Sequence, residues 1–233
     1  MKVIIPLAGP DFVLGDTVKS AVIYKGIPLL RYMLESRAWW KDGMVSDADL
    51  IFVLQNDPIS KKFAESSLRL WYPRCQLVSL SGFTRGAALS ALSGVSVITD
   101  LQGEVVCIDL ADIYFDCKTD PLKEMDSKDL DGLALVFPSD RSEYSYIRSV
   151  DGAIIETAEK RVISKSASAG TYFFKNASVF ISAVGSNIAS GKKYTYNDLY
   201  YVCPLFNSLL SNGGIAGYIN VSDIEDVKML EAI

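Results

Sequence analysis

The sequence predicts an α/β layered fold in a single domain. Short continuous apolar runs alternate with helix-spaced segments over the first half of the chain. In the second half, strand signals punctuated by turn residues take over. The apolar runs are continuous rather than alternating, which marks strands buried on both faces, as in a parallel sheet. The 233 residues are 49% hydrophobic, enough for one sizeable core without disulfide support.

Residues 3–7, 50–54, 76–80 and 104–110 are the strands expected in the first half. A helix is predicted from Pro28, which suits a first helical position, with Leu30, Met33, Leu34 and Ala38 at helical spacing. A second follows Ser60, through Phe63, Ala64, Leu68 and Trp71. A third follows Thr84, read as an N-cap, with Ala87, Ala88, Ala91 and Leu92 on it. Residues 132–137, 144–150, 153–157 and 168–174 read as strands, with Asp151-Gly152 as a hairpin turn. Helices are expected again at 178–188, 199–210 and 224–230, with Pro204 kinking or dividing the second of these. The polar stretches 41–49 and 120–131 read as loops. No repeat, low-complexity tract or linker divides the chain, so 1–233 is expected as one domain.

The formal charge is −5 and no basic footprint is visible, so a nucleic-acid partner is not expected. There is no histidine, which excludes His-based triads, His zinc sites and imidazole acid–base catalysis. Cys75, Cys107, Cys117 and Cys203 form no CxxC pair, so a zinc knuckle or a thioredoxin-type site is not expected, and a reduced cytoplasmic setting is. The apolar start is too short for a signal core or a membrane helix, so no membrane partner is expected.

Six elements then follow in order: PLAG closing the first strand with Lys19 after it; GIPLLRYMLES and a strand ending FVLQ; TRGAALSAL; CIDLADIYFD; a YSYI, DGAIIETAEK and ASAGTYFF run; and YYVCPLFNSLL. Over nearly the whole chain they resemble the nucleotidyltransferases that make nucleoside-diphosphate sugars and related activated head groups. The resemblance implies a GT-A-like, Rossmann-like α/β domain, with a mostly parallel central sheet flanked by helices and a smaller antiparallel part in the second half. Residues 1–117 would be the nucleotide-binding half and 118–233 the acceptor-binding half. The implied reaction is attack of a sugar 1-phosphate, or another small phosphate monoester, on the α-phosphorus of a nucleoside triphosphate. Pyrophosphate leaves, Mg2+ is the cofactor, and the product serves surface polysaccharide assembly. The base stays open among thymidine, uridine and cytidine, and homo-oligomer formation stays open too.

Each element has a physical counterpart. A triphosphate needs backbone N–H groups and cations, and Leu7, Ala8 and Gly9 occupy the family's phosphate-loop position. Lys19 matches the lysine near the phosphates, where a point cation offsets charge developing on the transferred group. Thr84, Gly86 and Ala87 match the segment along the base, with Gln55 facing the same pocket. Asp112 ends a central strand at the carboxyl edge, where open α/β sheets place ligands, and matches the family's metal-ligand position. Asp223 is the second metal candidate. Glu159 would accept from a sugar hydroxyl, and Lys160 would contact the acceptor phosphate. Gly170 would allow close packing beneath the acceptor, with Tyr172 flanking it. Lys19, Asp112 and Lys160 are the expected catalytic set. An in-line displacement of this kind needs no histidine and no protein nucleophile.

The loop after the first strand departs from the family pattern: it is short, lacks the arginine and carries Asp11. That keeps a second reading in play, a catalytically impaired homologue acting as a nucleotide- or sugar-nucleotide-binding regulatory or scaffold protein. A third, a sugar-transferring enzyme of the same fold, would use a DxD pair, whereas here the spacing is Asp109-x-x-Asp112.

Overall fold

The computed structural model describes residues 1–227. β1 (Lys2–Pro6) leads into two tight hairpins, β2 (Val13–Leu14) with β3 (Thr17–Val18) and β4 (Ile23–Tyr24) with β5 (Ile27–Pro28). Then come α1 (Leu29–Ser36), α2 (Ala38–Lys41) and β6 (Leu50–Gln55). α3 (Pro58–Phe63) runs through a π-helical turn (Ala64–Leu68) into α4 (Arg69–Trp71). β7 (Gln76–Leu80), α5 (Ala87–Val95), β8 (Val106–Asp109), β9 (Ile113–Asp116) and α6 (Pro121–Ser127) complete the first half. The second half adds β10 (Gly132–Pro138), β11 (Tyr146–Val150), β12 (Ala153–Ala158), β13 (Ser166–Phe174), α7 (Ala177–Ala189), α8 (Leu205–Ser211), β14 (Ala216–Asn220) and β15 (Ser222–Asp226).

Among the described residues nine strands form one sheet in the order β10-β14-β12-β11-β13-β8-β1-β6-β7. β7, β6, β1 and β8 pair in parallel. β13 then joins β8 antiparallel, and antiparallel pairing dominates beyond it, with β10–β14 a parallel exception. The sheet is therefore mixed. Its parallel block is confined to the first half, and the antiparallel half is a continuation of the same sheet rather than a small appendage.

The continuous apolar runs are explained by burial on both sides. Along β1, Val3 and Ile5 enter one core with Phe52, Leu30 and Phe63, while Ile4 enters the other with Val53, Ala91, Phe180 and Phe206. One helix layer covers each face, so every residue of a central strand meets apolar neighbours.

Turn chemistry sets the element ends. Asp57 accepts from the Ile59 and Ser60 amides at 2.9 Å and starts α3 with Pro58 at its first position. The same Asp-Pro device starts α6: Asp120 accepts from Leu122 N at 2.9 Å, and Met125 is buried. The expected loop 120–131 thus contains a helix. Asp151 and Gly152 both take positive φ, joining β11 to β12 as expected.

Three helix expectations are corrected. The helix expected at 199–210 begins only at Leu205, because Pro204 takes the N-cap position and the chain before it is held by the Tyr196–Leu199 bridge. The helix expected at 224–230 is replaced, through Asp226, by β15 paired with β9, and its remaining positions lie outside the described residues. Thr84 does not cap α5. Gly86 holds the N-cap position at φ +109°, and the Thr84 hydroxyl bonds Ser90 Oγ at 2.6 Å instead.

Gly86 has a further reason to be glycine. A β-carbon there would lie 2.3 Å from the backbone oxygen of Tyr200. Ala88 N donates to that same oxygen at 3.0 Å, and Tyr200 N donates to Arg85 O at 2.8 Å. No described helix is long and apolar enough to cross a membrane. All four cysteines are free and buried. Burial raises every one of these thiols, Cys117 to about 11.

Two measurements check this packing. Gly86→Ala combines a strained φ with a backbone clash and should cost about 1–3 kcal/mol or more. At ~2–4 °C per kcal/mol that is a clear loss in melting temperature. Ellman's reagent should find essentially no reactive thiol in the folded protein at pH 8, and all four after unfolding. Rapid native labelling at any of them would contradict the buried placement.

Candidate functional site

The site is organised by an ion pair beneath the sheet's carboxyl edge. Asp109 ends β8, and Arg37 sits in the break between α1 and α2. Arg37 donates from Nε to Asp109 Oδ2 at 2.9 Å and from Nη2 to Oδ1 at 3.0 Å. Both side chains are 1% exposed. The guanidinium lies 3.9 Å from the Phe115 ring centroid and also donates to Ile113 O at 3.1 Å. Asp109 Oδ1 accepts in addition from Ala111 N at 2.9 Å and Thr171 Oγ1 at 3.3 Å. Arg37 therefore grips both strands flanking the turn at 110–112, while Asp109 holds the amide at its centre. Ala111 takes a left-handed φ of +52°, a conformation this side-chain acceptor supports. Arg37 Nη1 is buried without a hydrogen-bond partner among the described residues. A pair that leaves a donor unmet is retained for where it holds the chain more than for net stability.

That turn delivers Asp112. Leu110 N donates to Gly170 O at 3.0 Å, stitching the turn to β13. Gly170 has φ +75°, and a β-carbon there would lie 2.9 Å from Asp112 Oδ1. The glycine thus makes room for a carboxylate, a closer account than general packing beneath an acceptor. Tyr172, two residues on, is 2% exposed and takes a hydrogen bond from Ser168 Oγ at 2.8 Å. Its expected contact with an acceptor is corrected: it lies in the floor. Burial pushes its hydroxyl well above the ordinary range, with Glu159 and Asp112 among the charges acting in the same direction. Glu159 reaches the same strand through Ser145, whose carbonyl oxygen accepts from Ser168 N at 2.8 Å.

Glu159 follows β12, and its Oε2 accepts from Ser145 Oγ. Adjacent strand residues would face opposite ways, but Lys160 turns the chain with φ +48°. Glu159 is half-buried and Lys160 exposed. Lys160 points outward, with Nζ 5.4 Å from the Tyr196 ring centroid and 6.0 Å from that of Tyr201.

The nucleotide side is built at the ends of β1 and β6. Leu7 and Ala8 are buried, so only their backbone can serve a ligand. Leu7 N donates to Val53 O at 2.8 Å, and Gln55 Nε2 donates to Ala8 O at 2.9 Å, tying the loop to the end of β6. Gly9 precedes a 3-10 turn (Pro10–Phe12). Phe12 anchors this turn, with its ring 5.7 Å from that of Phe63. The short loop is thus pinned into the core. Lys19 opens the next 3-10 turn (Lys19–Ala21), which packs on α1 and on the Pro10–Phe12 turn. Lys19 is half-buried and has no carboxylate partner among the described residues.

Asp223 is not delivered to Asp112. It lies in the irregular part of β15, at φ +54°, and takes a hydrogen bond from Ser222 Oγ at 3.1 Å. The register opposes Ser222 to Asp116 and Asp226 to Ile113. Asp223 thus precedes by three residues Asp226, the residue opposite Ile113. Asp226 holds the place beside the turn, its Oδ2 accepting from Tyr144 OH at 2.5 Å. Val227 N donates to Asp112 O at 3.3 Å. Among the described residues no three His, Cys, Asp or Glu side chains form a metal cluster. Mg2+ asks for less, one or two carboxylates with phosphates and water completing the shell, and Asp112 suits that role.

β15 is also clasped to the hairpin that follows Lys19. Lys25 Nζ lies 2.6 and 2.7 Å from the two Glu225 oxygens, and the hydroxyls of Tyr24 and Tyr32 donate to the same carboxylate at 3.0 and 3.3 Å. The Lys25 ammonium holds the Glu225 carboxyl below its ordinary value. Arg37, Asp226 and this clasp were not found by sequence reasoning. A lone arginine in a helical stretch carries no signal of its partner, and β15 was read as a helix.

Known structures share this architecture. A nucleoside-diphosphate-sugar pyrophosphorylase from Vibrio cholerae superposes with a TM-score of 0.79 at 21% identity, covering 96% of this chain and 94% of that one. A UDP-glucose pyrophosphorylase complexed with UDP-glucose gives 0.68 at 17% identity, with 97% and 92% covered. An inositol-1-phosphate CTP transferase from T. maritima gives 0.67 at 14% identity, with 96% and 86% covered. No protein-family profile and no curated relative matches the sequence. The resemblance drawn from the sequence is thus borne out in the fold.

The buried pair separates stability from positioning. Arg37→Ala strands the Asp109 carboxylate and should cost about 3–5 kcal/mol by denaturant unfolding. Arg37→Met with Asp109→Leu should recover most of that stability, yet remove the acceptor for Ala111 N. Ligand binding at Asp112 should then stay impaired. Full recovery of binding in the double variant would mean that the pair only fills space.

Proposed function

We propose that this protein is a nucleotidyltransferase that moves a nucleoside monophosphate from a nucleoside triphosphate to a sugar 1-phosphate or small phosphate monoester, releasing pyrophosphate. The observation that carries it is Asp112 set against Gly170 at the carboxyl edge, with Glu159 joined through Ser145 to the same strand, on the seam where the parallel block meets the antiparallel half. The fold shared with nucleoside-diphosphate-sugar pyrophosphorylases supports the same reading.

In this reading the triphosphate lies across the ends of β1, β6 and β8, with its phosphates at Gly9 and its base along Thr84–Ala87. Backbone amides and the Lys19 ammonium offset its charge. Mg2+, held by Asp112 and phosphate oxygens, would supply charge neutralisation and alignment. Glu159 orients an acceptor hydroxyl, and Lys160 holds the acceptor phosphate. An acceptor phosphate oxygen attacks the α-phosphorus, the bond to the β-bridging oxygen breaks, and pyrophosphate carries away the electron pair. No proton need pass through the protein, in keeping with a chain without histidine. The lysines and carboxylates position charge, and placement supplies the rate.

Pyrophosphate release tests this, assayed with each triphosphate against a panel of phosphate monoesters. Release should require both Mg2+ and acceptor. Asp112→Ala and Lys19→Ala should each lower kcat by about 10²-fold or more, as loss of a charge-stabilising group does elsewhere. Nucleotide binding without turnover across the whole panel would instead establish the non-catalytic alternative, which the pinned, arginine-free loop favours.

A further inference from the structure

Lys160 is an exposed lysine whose ammonium has fixed company. Its backbone takes the left-handed φ of +48°, uncommon for a residue with a side chain, and carries it off the line of β12. Its Nζ then lies within cation–π range of two rings, 5.4 Å from the Tyr196 centroid and 6.0 Å from that of Tyr201. The two rings meet edge to face, 6.4 Å apart at 69°. Lys160 and Tyr196 both line a cleft of about 1000 Å³ between β12 and α8.

The segment that carries these rings is held at both ends. Tyr196 and Leu199 exchange two backbone hydrogen bonds, at 3.1 and 3.0 Å, around Asn197 and Asp198. Those two residues take φ of +50° and +60°, which Asn and Asp tolerate better than most. Arg85 reaches this turn directly, its Nη2 donating to Asp198 O at 3.0 Å. Tyr200 N donates to Arg85 O at 2.8 Å, and Ala88 N returns a bond to Tyr200 O at 3.0 Å. On the other side Val202 and Cys203 are buried. Cys203 O accepts from Thr157 Oγ1 at 2.9 Å, and Thr157 stands on β12 three residues before Lys160. The rings are thus registered both to the strand that presents the lysine and to the start of α5, along which the base would lie.

We infer, resting on the nucleotidyltransferase reading, that Tyr196 and Tyr201 are positioning residues for Lys160, holding its ammonium where the acceptor phosphate binds, and that Arg85 anchors the turn that carries Tyr196. A free lysine loses rotamer freedom when it grips a phosphate, and a ring-held one has lost part of it beforehand. The tyrosines therefore act on acceptor affinity and not on the triphosphate.

Two readouts test this. Isotope-labelled methyl groups added to the lysines give each its own NMR signal, and Lys160→Arg identifies the one at 160. Ring currents should shift that signal upfield in the wild type. Tyr196→Phe and Tyr201→Phe keep the rings and should keep the shift. Tyr196→Leu and Tyr201→Leu should each remove part of it, and Arg85→Ala should reduce it with both rings still present. In pyrophosphate release from the phosphate monoester panel, the Tyr196→Leu, Tyr201→Leu double variant should raise the acceptor KM about fivefold and leave the triphosphate KM unchanged. The two Phe variants should keep the wild-type acceptor KM. With Lys160→Met already in place, removing the rings should have no further effect. A Lys160 signal at the ordinary lysine position, a shift that survives loss of both rings, or an acceptor KM that rises as much in the Lys160→Met background would overturn the inference. A signal unmoved by Arg85→Ala would overturn the anchoring. A ring-shifted Lys160 in a protein that releases no pyrophosphate with any acceptor would leave the held ammonium standing and remove the catalytic reading instead.

Discussion

Everything at the carboxyl edge depends on a charge pair that water does not reach. Arg37 and Asp109 are each 1% exposed and joined by two hydrogen bonds. Such a pair contributes little net stability, because desolvating both charges offsets their attraction. Its effect is geometric. Spare capacity on the carboxylate holds the chain at Ala111, and spare capacity on the guanidinium ties down Ile113, so the backbone on both sides of Asp112 is fixed. Gly170 completes the arrangement by leaving empty the volume a β-carbon would fill.

The seam between the sheet's two halves matters for the same reason. A parallel block alone offers strand ends on one side of a crevice. Here β13 turns back against β8, so an antiparallel strand brings Gly170 to the same edge and β12 brings Glu159. The Lys25–Glu225 clasp links the Lys19-bearing segment to the strand that braces Asp112. The two cations of the proposed chemistry differ in setting. Lys19 is half-buried beside the pinned loop, whereas Lys160 is exposed and supported by aromatic rings.

Much of this was legible in the residues. β1, β6 and β8 announced themselves by apolar runs because both faces are buried, and Asp151-Gly152 announced its hairpin because few other pairs accept two positive φ values. Asp112 and Glu159 were singled out through the order of motifs. What escaped depends on long-range geometry. α6 was hidden because its Asp-Pro start lay in a charged stretch and only Met125 faces a core cluster from it. β15 was misread because Ile224 is its only apolar residue, so no strand alternation marks it. Asp223 was singled out by its match to an acidic residue in the family's motif, and the register sets Asp226 opposite Ile113, beside the turn that carries Asp112. Thr84 was assigned a cap because its type suits one. The backbone of Tyr200, 114 to 116 positions beyond Gly86 and Thr84, decides the matter instead.

The most direct measurement is a crystal structure of the protein with Mg2+ and a non-hydrolysable nucleoside triphosphate. The account requires the α-phosphate within metal-bridging reach of Asp112, the phosphates along Gly9 and Lys19, and the base beside Thr84–Ala87. A nucleotide bound with Asp112 remote from every phosphate, or side chains filling the edge between Gly9 and Gly170 so that no nucleotide enters, would contradict it.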